Sequence, residues 1–114
     1  MTAADVSEDL ARRTGFLVAV LGDKTTAEML KVSQSQLSRW RRSAELPSAA
    51  APLLVDLDHV VARLLLVWDV SLVRPWLTSP NAHLEGARPV EVLATRGASE
   101  VVEAIEAESV GAFA

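Results

Sequence analysis

The chain has no cysteine, so its two histidines, its carboxylates and its hydroxyls are the side chains with which chemistry could be done. Lacking cysteine, it has no disulfides, thiolate metal sites or cysteine nucleophiles. His59 and His83 stand 24 positions apart and fit no metal-ligand spacing, so they read as surface or packing residues. Asp56 and Asp58 fall on different faces of a helix, not across a cleft as a general acid and base require. Ser79 has no adjacent base, and no glycine-rich phosphate loop occurs. The expectation is a protein that binds without catalysing, with no cofactor and no metal.

Hydrogen-bonding and charged groups are more concentrated. Lys24, Lys31, Arg39, Arg41 and Arg42 against Glu28 give residues 24–42 a charge of +4, while residues 1–23 carry −2 and residues 43–114 carry −6, for a net −4. One compact basic segment in an acidic chain fits a small electrostatic footprint for nucleic acid. Two short helices with a tight turn would have to position it. Thr25 before Glu28 and Ser33 before Gln36 each have the spacing of a capping box, and the second helix would run to about Ser43 or Ala44. Ala27 supplies a small residue where the helices cross, and Leu30, Val32, Leu37 and Trp40 lock them together.

With that face buried, Gln34, Ser35, Ser38, Arg39 and Arg42 lie on the opposite one. Gln34 could pair with adenine and Arg39 with guanine in a major groove, each contributing roughly 1–3 kcal/mol of discrimination. Lys24, Thr25, Thr26 and Arg41 are placed for phosphates. The alternative at this point is an ordinary helical hairpin with a solvated polar face. The stretch Thr25–Ser48 resembles the helix-turn-helix of Xre-like and phage-repressor proteins, departing from it at Lys31, where such motifs usually carry glycine. A lysine there pays a modest left-handed strain.

Around this pair the punctuation predicts further helices. Asp5 or Ser7 caps a first helix with the stripe Leu10, Leu17, Val20 and Leu21, ending near Gly22. A long helix runs from about Ser48 to Val70 with Pro52 in its first turn. Asp56, Asp58, His59, Arg63 and Asp69 interrupt its apolar run too often for a membrane span, so it reads as a core helix that also serves a dimer interface. Ser79-Pro80-Asn81 forms a turn or a helix start, and Pro89 opens a helix through about Thr95 that Gly97 closes with a left-handed cap. Ser99 caps a last helix with Val101, Val102, Ile105 and Val110 inward and Glu100, Glu103, Glu106 and Glu108 outward. Gly111 ends it, leaving Ala112-Phe113-Ala114 as an apolar tail, and Trp68 and Trp76 anchor the core. The start of the chain, with Asp5, Glu8, Asp9, Arg12 and Arg13, is not a secretory signal, which points to the cytoplasm.

The C-terminal third carries a specific pattern. It runs Trp76-Leu77-Thr78-Ser79-Pro80-Asn81, Leu84-Glu85, Arg88-Pro89, Val92-Leu93, Val101-Val102, Ile105 and Gly111-Ala112-Phe113-Ala114. It is similar to the toxin-binding domain of the Xre/MbcA/ParS antitoxins, which pair with RES-domain toxins. The resemblance covers about residues 20–114 once the helix-turn-helix is included. It implies an all-α protein with an Xre-like helix-turn-helix domain over 1–47, a central core or dimerisation helix over 48–75, and a toxin-binding domain with a C-terminal tail over 76–114. It further implies a type II antitoxin whose C-terminal segment blocks the active site of an NAD-consuming RES toxin, and whose helix-turn-helix represses its own operon. Ser79, Pro80, Asn81, Arg88, Pro89, Ser109, Val110, Gly111, Ala112, Phe113 and Ala114 become the toxin-binding residues, with Phe113 dominant. The implied partners are a RES toxin encoded nearby and operator DNA, with a homodimer building larger hetero-oligomers and no membrane. A stand-alone repressor with a helical dimerisation domain is the competing function.

Overall fold

The computed structural model describes residues 3–43 and 48–113. Among the described residues the regular secondary structure is entirely helical, as the sequence predicts, and no helix is long and apolar enough to cross a membrane. The chain divides into two compact units, Met1–Asp58 and His59–Ala114. The division falls inside a single helix, α4, over Ala51–Val67.

In the first unit, α1 spans Ala3–Leu21, α2 Asp23–Leu30 and α3 Gln34–Ser43, and each packs on the other two. Leu17, Ala27, Met29, Leu30, Leu37 and Trp40 are buried between them. Asp5 and Ser7 lie within α1, not at its cap, because the helix already begins at Ala3. Gly22 breaks the chain between α1 and α2 at φ 86° and ψ 163°, a conformation that a side chain would strain. Thr25 is not a cap either. α2 starts at Asp23, and the Gly22 carbonyl accepts the Thr26 N–H at 3.1 Å, so the backbone does what the proposed capping box would have done. Arg13 holds this unit to the first half of α4, donating from Nε to Asp9 at 2.8 Å and from its terminal nitrogen to Asp58 at 2.6 Å.

In the second unit, α4 stops at Val67, three residues before the predicted end. The Asp69 carboxylate accepts the Ser71 N–H at 2.9 Å and its hydroxyl at 2.6 Å, starting a 3-10 turn over Val70–Leu72. Such local side-chain bonds compete with helix continuation. Then come α5 over Val73–Thr78, a 3-10 turn over Ala82–Leu84, α6 over Pro89–Arg96 and α7 over Ser99–Phe113. Val60, Val61, Leu64, Val73, Leu77, Val92, Leu93, Val101, Ala104 and Ile105 are buried.

Pro89 occupies the first helical position as predicted, but Pro80 precedes the Asn81 cap instead of opening a helix. Gly97 has the positive φ expected of it, 86°, with an extended ψ of −168° in place of a left-handed one. Gly111 does not end α7, which runs through it to Phe113. Trp68 and Trp76 are half-buried and rest on each other, centroids 6.3 Å apart and planes inclined by 30°.

Candidate functional site

The helix pair α2–α3 is joined by a tight turn with a side-chain cap on its far side. Ser33 Oγ accepts the Gln36 N–H at 3.0 Å, and Gln36 Oε1 accepts the Ser33 N–H at 2.9 Å, a closed capping box that starts α3. Lys31 takes the left-handed conformation, φ 62° and ψ 36°, that the departure from glycine predicts. Leu30, Leu37 and Trp40 lock the helices from within, while Val32 is half-buried.

On the outer face Gln34, Ser35, Ser38, Arg39 and Arg42 are all exposed and, with Asp23, line one open groove. The Arg42 guanidinium donates to Ser38 Oγ at 3.3 Å, and Arg41 pairs with Asp23 at 3.5 Å. Lys24 is exposed, so six of the seven nucleic-acid candidates stand on the surface. Thr26 does not. It is fully buried, and its hydroxyl, like the Trp40 indole nitrogen, has no hydrogen-bond partner among the described residues. Its position was legible, since Thr26, Met29 and Leu30 recur at helical spacing on the inner face of α2.

In the second unit a part-buried polar grouping forms around Glu108. Its Oε2 accepts the Trp76 indole N–H at 2.6 Å and its Oε1 accepts the Asn81 side-chain amide at 2.8 Å. Asn81, only 6% exposed, also caps the following 3-10 turn by accepting the His83 N–H at 2.9 Å. Its backbone N–H donates to Ala87 at 3.0 Å, and its carbonyl accepts from Leu84 at 3.0 Å and Gly86 at 2.9 Å. Asn81 is therefore a keystone of the loop and not a surface contact.

Glu108 overturns its expected outward placement. It continues the register of Val101, Ala104 and Ile105, all buried, so its inward turn follows from the helical period. Val110 leaves that register and is 71% exposed, not inward.

Of the remaining predicted toxin contacts, Pro89 is buried as a helix opener. Ser79, Pro80 and Arg88 are exposed on the loops at either end of the Asn81 turn, and Arg88 pairs with Glu91. Ser109 is half-buried, and Val110 and Gly111 are exposed on the last turns of α7. The side chains of Ala112 and Phe113, and Ala114 entirely, lie outside the described residues.

Asp58 is committed to Arg13, and His59 and His83 are exposed. Among the described residues no cluster of His, Asp and Glu is arranged to hold a metal ion.

Among the described residues both units are helical, with a polar helix face on one and a loop-and-helix surface on the other. Residues 58–110 match the family of the antitoxin Xre/MbcA/ParS C-terminal toxin-binding domain. The match supports an antitoxin's role in a toxin–antitoxin pair, with a toxin as the partner. No curated protein and no solved structure matches the chain.

Proposed function

We propose that the protein is the antitoxin of a type II system whose toxin is a RES-domain, NAD-consuming enzyme encoded nearby, and that it neutralises this enzyme by occlusion in the cytoplasm. The match of residues 58–110 to a toxin-binding domain carries this reading. The antitoxin performs no reaction of its own. Ser79, Pro80 and Arg88 contribute from the loops, while residues 109–114 block the active site, and the exposure of Val110 and Gly111 at the end of α7 supports this assignment. Asn81 and Pro89, being buried, shape that surface from beneath.

The helix-turn-helix places the complex on its operator and represses transcription. The exposed Gln34, Ser35, Ser38, Arg39 and Arg42 on one face of α3 support this, with Lys24 near the start of α2 reaching phosphate. A homodimer, from which larger hetero-oligomers with the toxin grow, supplies the symmetry a palindromic site needs.

Co-expression of a cognate RES-type protein with the full chain, or with a chain ending at Glu108, tests the reading through growth and cellular NAD. Rescue by the full chain alone is expected. Rescue by both moves the blocking surface upstream of residue 109. Rescue by neither, with DNA binding intact, would leave a stand-alone repressor.

A further inference from the structure

The groove on the outer face of α3, about 510 Å³, is lined by residues of that helix and by one residue of α2, Asp23. Among the described lining residues Asp23 alone carries a negative charge. It is the first residue of α2, and its Oδ1 lies 3.5 Å from a terminal nitrogen of Arg41 in the last turn of α3. Both side chains are open to solvent, Asp23 by 64% and Arg41 by 42%. An ion pair so exposed adds little to stability, and its charges matter most to a charged body that approaches the face. In the sequence Asp23 stands just outside the +4 segment of residues 24–42, and folding brings it onto the same face.

We propose that Asp23 restrains DNA binding by holding Arg41 away from phosphate, so that the face grips DNA more weakly than its cations alone would. The inference rests on the nucleic-acid reading of this face. Where the second helix of such a pair enters the major groove, the first crosses the sugar–phosphate backbone, which brings the start of α2 to phosphate. A carboxylate at that point meets a like charge and competes with phosphate for the Arg41 guanidinium. The restraint acts on every sequence alike, because phosphate contacts carry no sequence information. Less of the binding then comes from the backbone, and more of the retention is left to base-edge contacts by Gln34 and Arg39. An acidic residue in the first turn also favours the dipole of α2. That role alone would leave DNA binding no tighter once the carboxylate is removed.

The test titrates a fluorescein-labelled DNA duplex of mixed sequence with the full chain, Asp23→Asn, Arg41→Ala and the double variant, reading anisotropy. Circular dichroism checks that helicity is equal in all four. Asp23→Asn is expected to tighten binding by about tenfold at low salt. It should also steepen the fall of log K with log salt by about 0.9, the mark of one added phosphate contact. Arg41→Ala should cost about twofold with Asp23 present and about tenfold in the Asp23→Asn background, since only there is the guanidinium released. Asp23→Ser, which lacks the carboxylate but can still cap α2, should behave as Asp23→Asn does. Equal costs of Arg41→Ala in the two backgrounds would overturn the capture of Arg41. Binding no tighter than the wild type in both Asp23 variants would overturn the restraint and leave the DNA face standing. No binding by any of the chains would overturn the nucleic-acid reading and this inference together.

Discussion

With both carboxylate oxygens engaged, Glu108 joins the Trp76 indole to the Asn81 amide just before the last turns of α7. Removing it would leave two partly buried donors without an acceptor, and such a loss costs about 1–3 kcal/mol. Glu108→Ala is therefore expected to lower stability in urea unfolding by about that amount. Glu108→Gln should recover part of the loss, since its amide oxygen still accepts one of the two bonds. The position of Glu108 was legible from its register with Val101 and Ala104, but four glutamates in one helix made the polar side look continuous. Which donors meet it was not legible, because Trp76 and Asn81 lie far away in the sequence. Thr26 misleads in the same manner, its residue type suggesting a phosphate contact where its helical position puts it in the core.

At the scale of elements, α1 is tied to α4 through Asp9, Arg13 and Asp58. The hydrogen bond from Arg13 is the main reason that the Asp9 carboxyl titrates below its ordinary value, with the Arg13 and Arg12 charges adding to it. A carboxyl whose pKa is depressed by folding stabilises the fold above its unfolded value of about 3.9 and loses that contribution as pH falls through the folded value. Asp9→Asn should therefore lower the melting temperature near neutral pH, and the gap to the wild type should close below about pH 4. Most elements were readable from punctuation such as Gly22, Pro89 and Gly97 and from apolar spacing. The predicted ends that moved were decided by hydrogen bonds. Backbone bonding begins α2 before Thr25, and Asp69 starts a new turn where the apolar run alone would have carried α4 onward.

For the whole molecule, the face proposed for nucleic acid lies in the unit Met1–Asp58, and nearly all of the stretch that matches a toxin-binding domain lies in His59–Ala114. Arg39→Ala combined with Arg42→Ala should therefore abolish retention of operator DNA in a gel-shift assay and leave toxin neutralisation unchanged. Wild-type DNA binding should weaken steeply with added salt, as phosphate contacts require. Loss of neutralisation in the same double variant would show that the two activities share a surface.

By itself the sequence determined the helical class, the burial of Ala27, Leu30, Leu37 and Trp40 between the short helices, the left-handed Lys31 and the resemblance to an antitoxin's toxin-binding domain. Each of these rests on residue types at short spacing, where local geometry and helical period decide the outcome. Only the tertiary structure placed Glu108 between Trp76 and Asn81, committed Asp58 to Arg13, and set Asp23 against Arg41. Those features join residues far apart in the chain. Whether a polar side chain finds a partner or meets water depends on which helices pack together, and no local pattern encodes that.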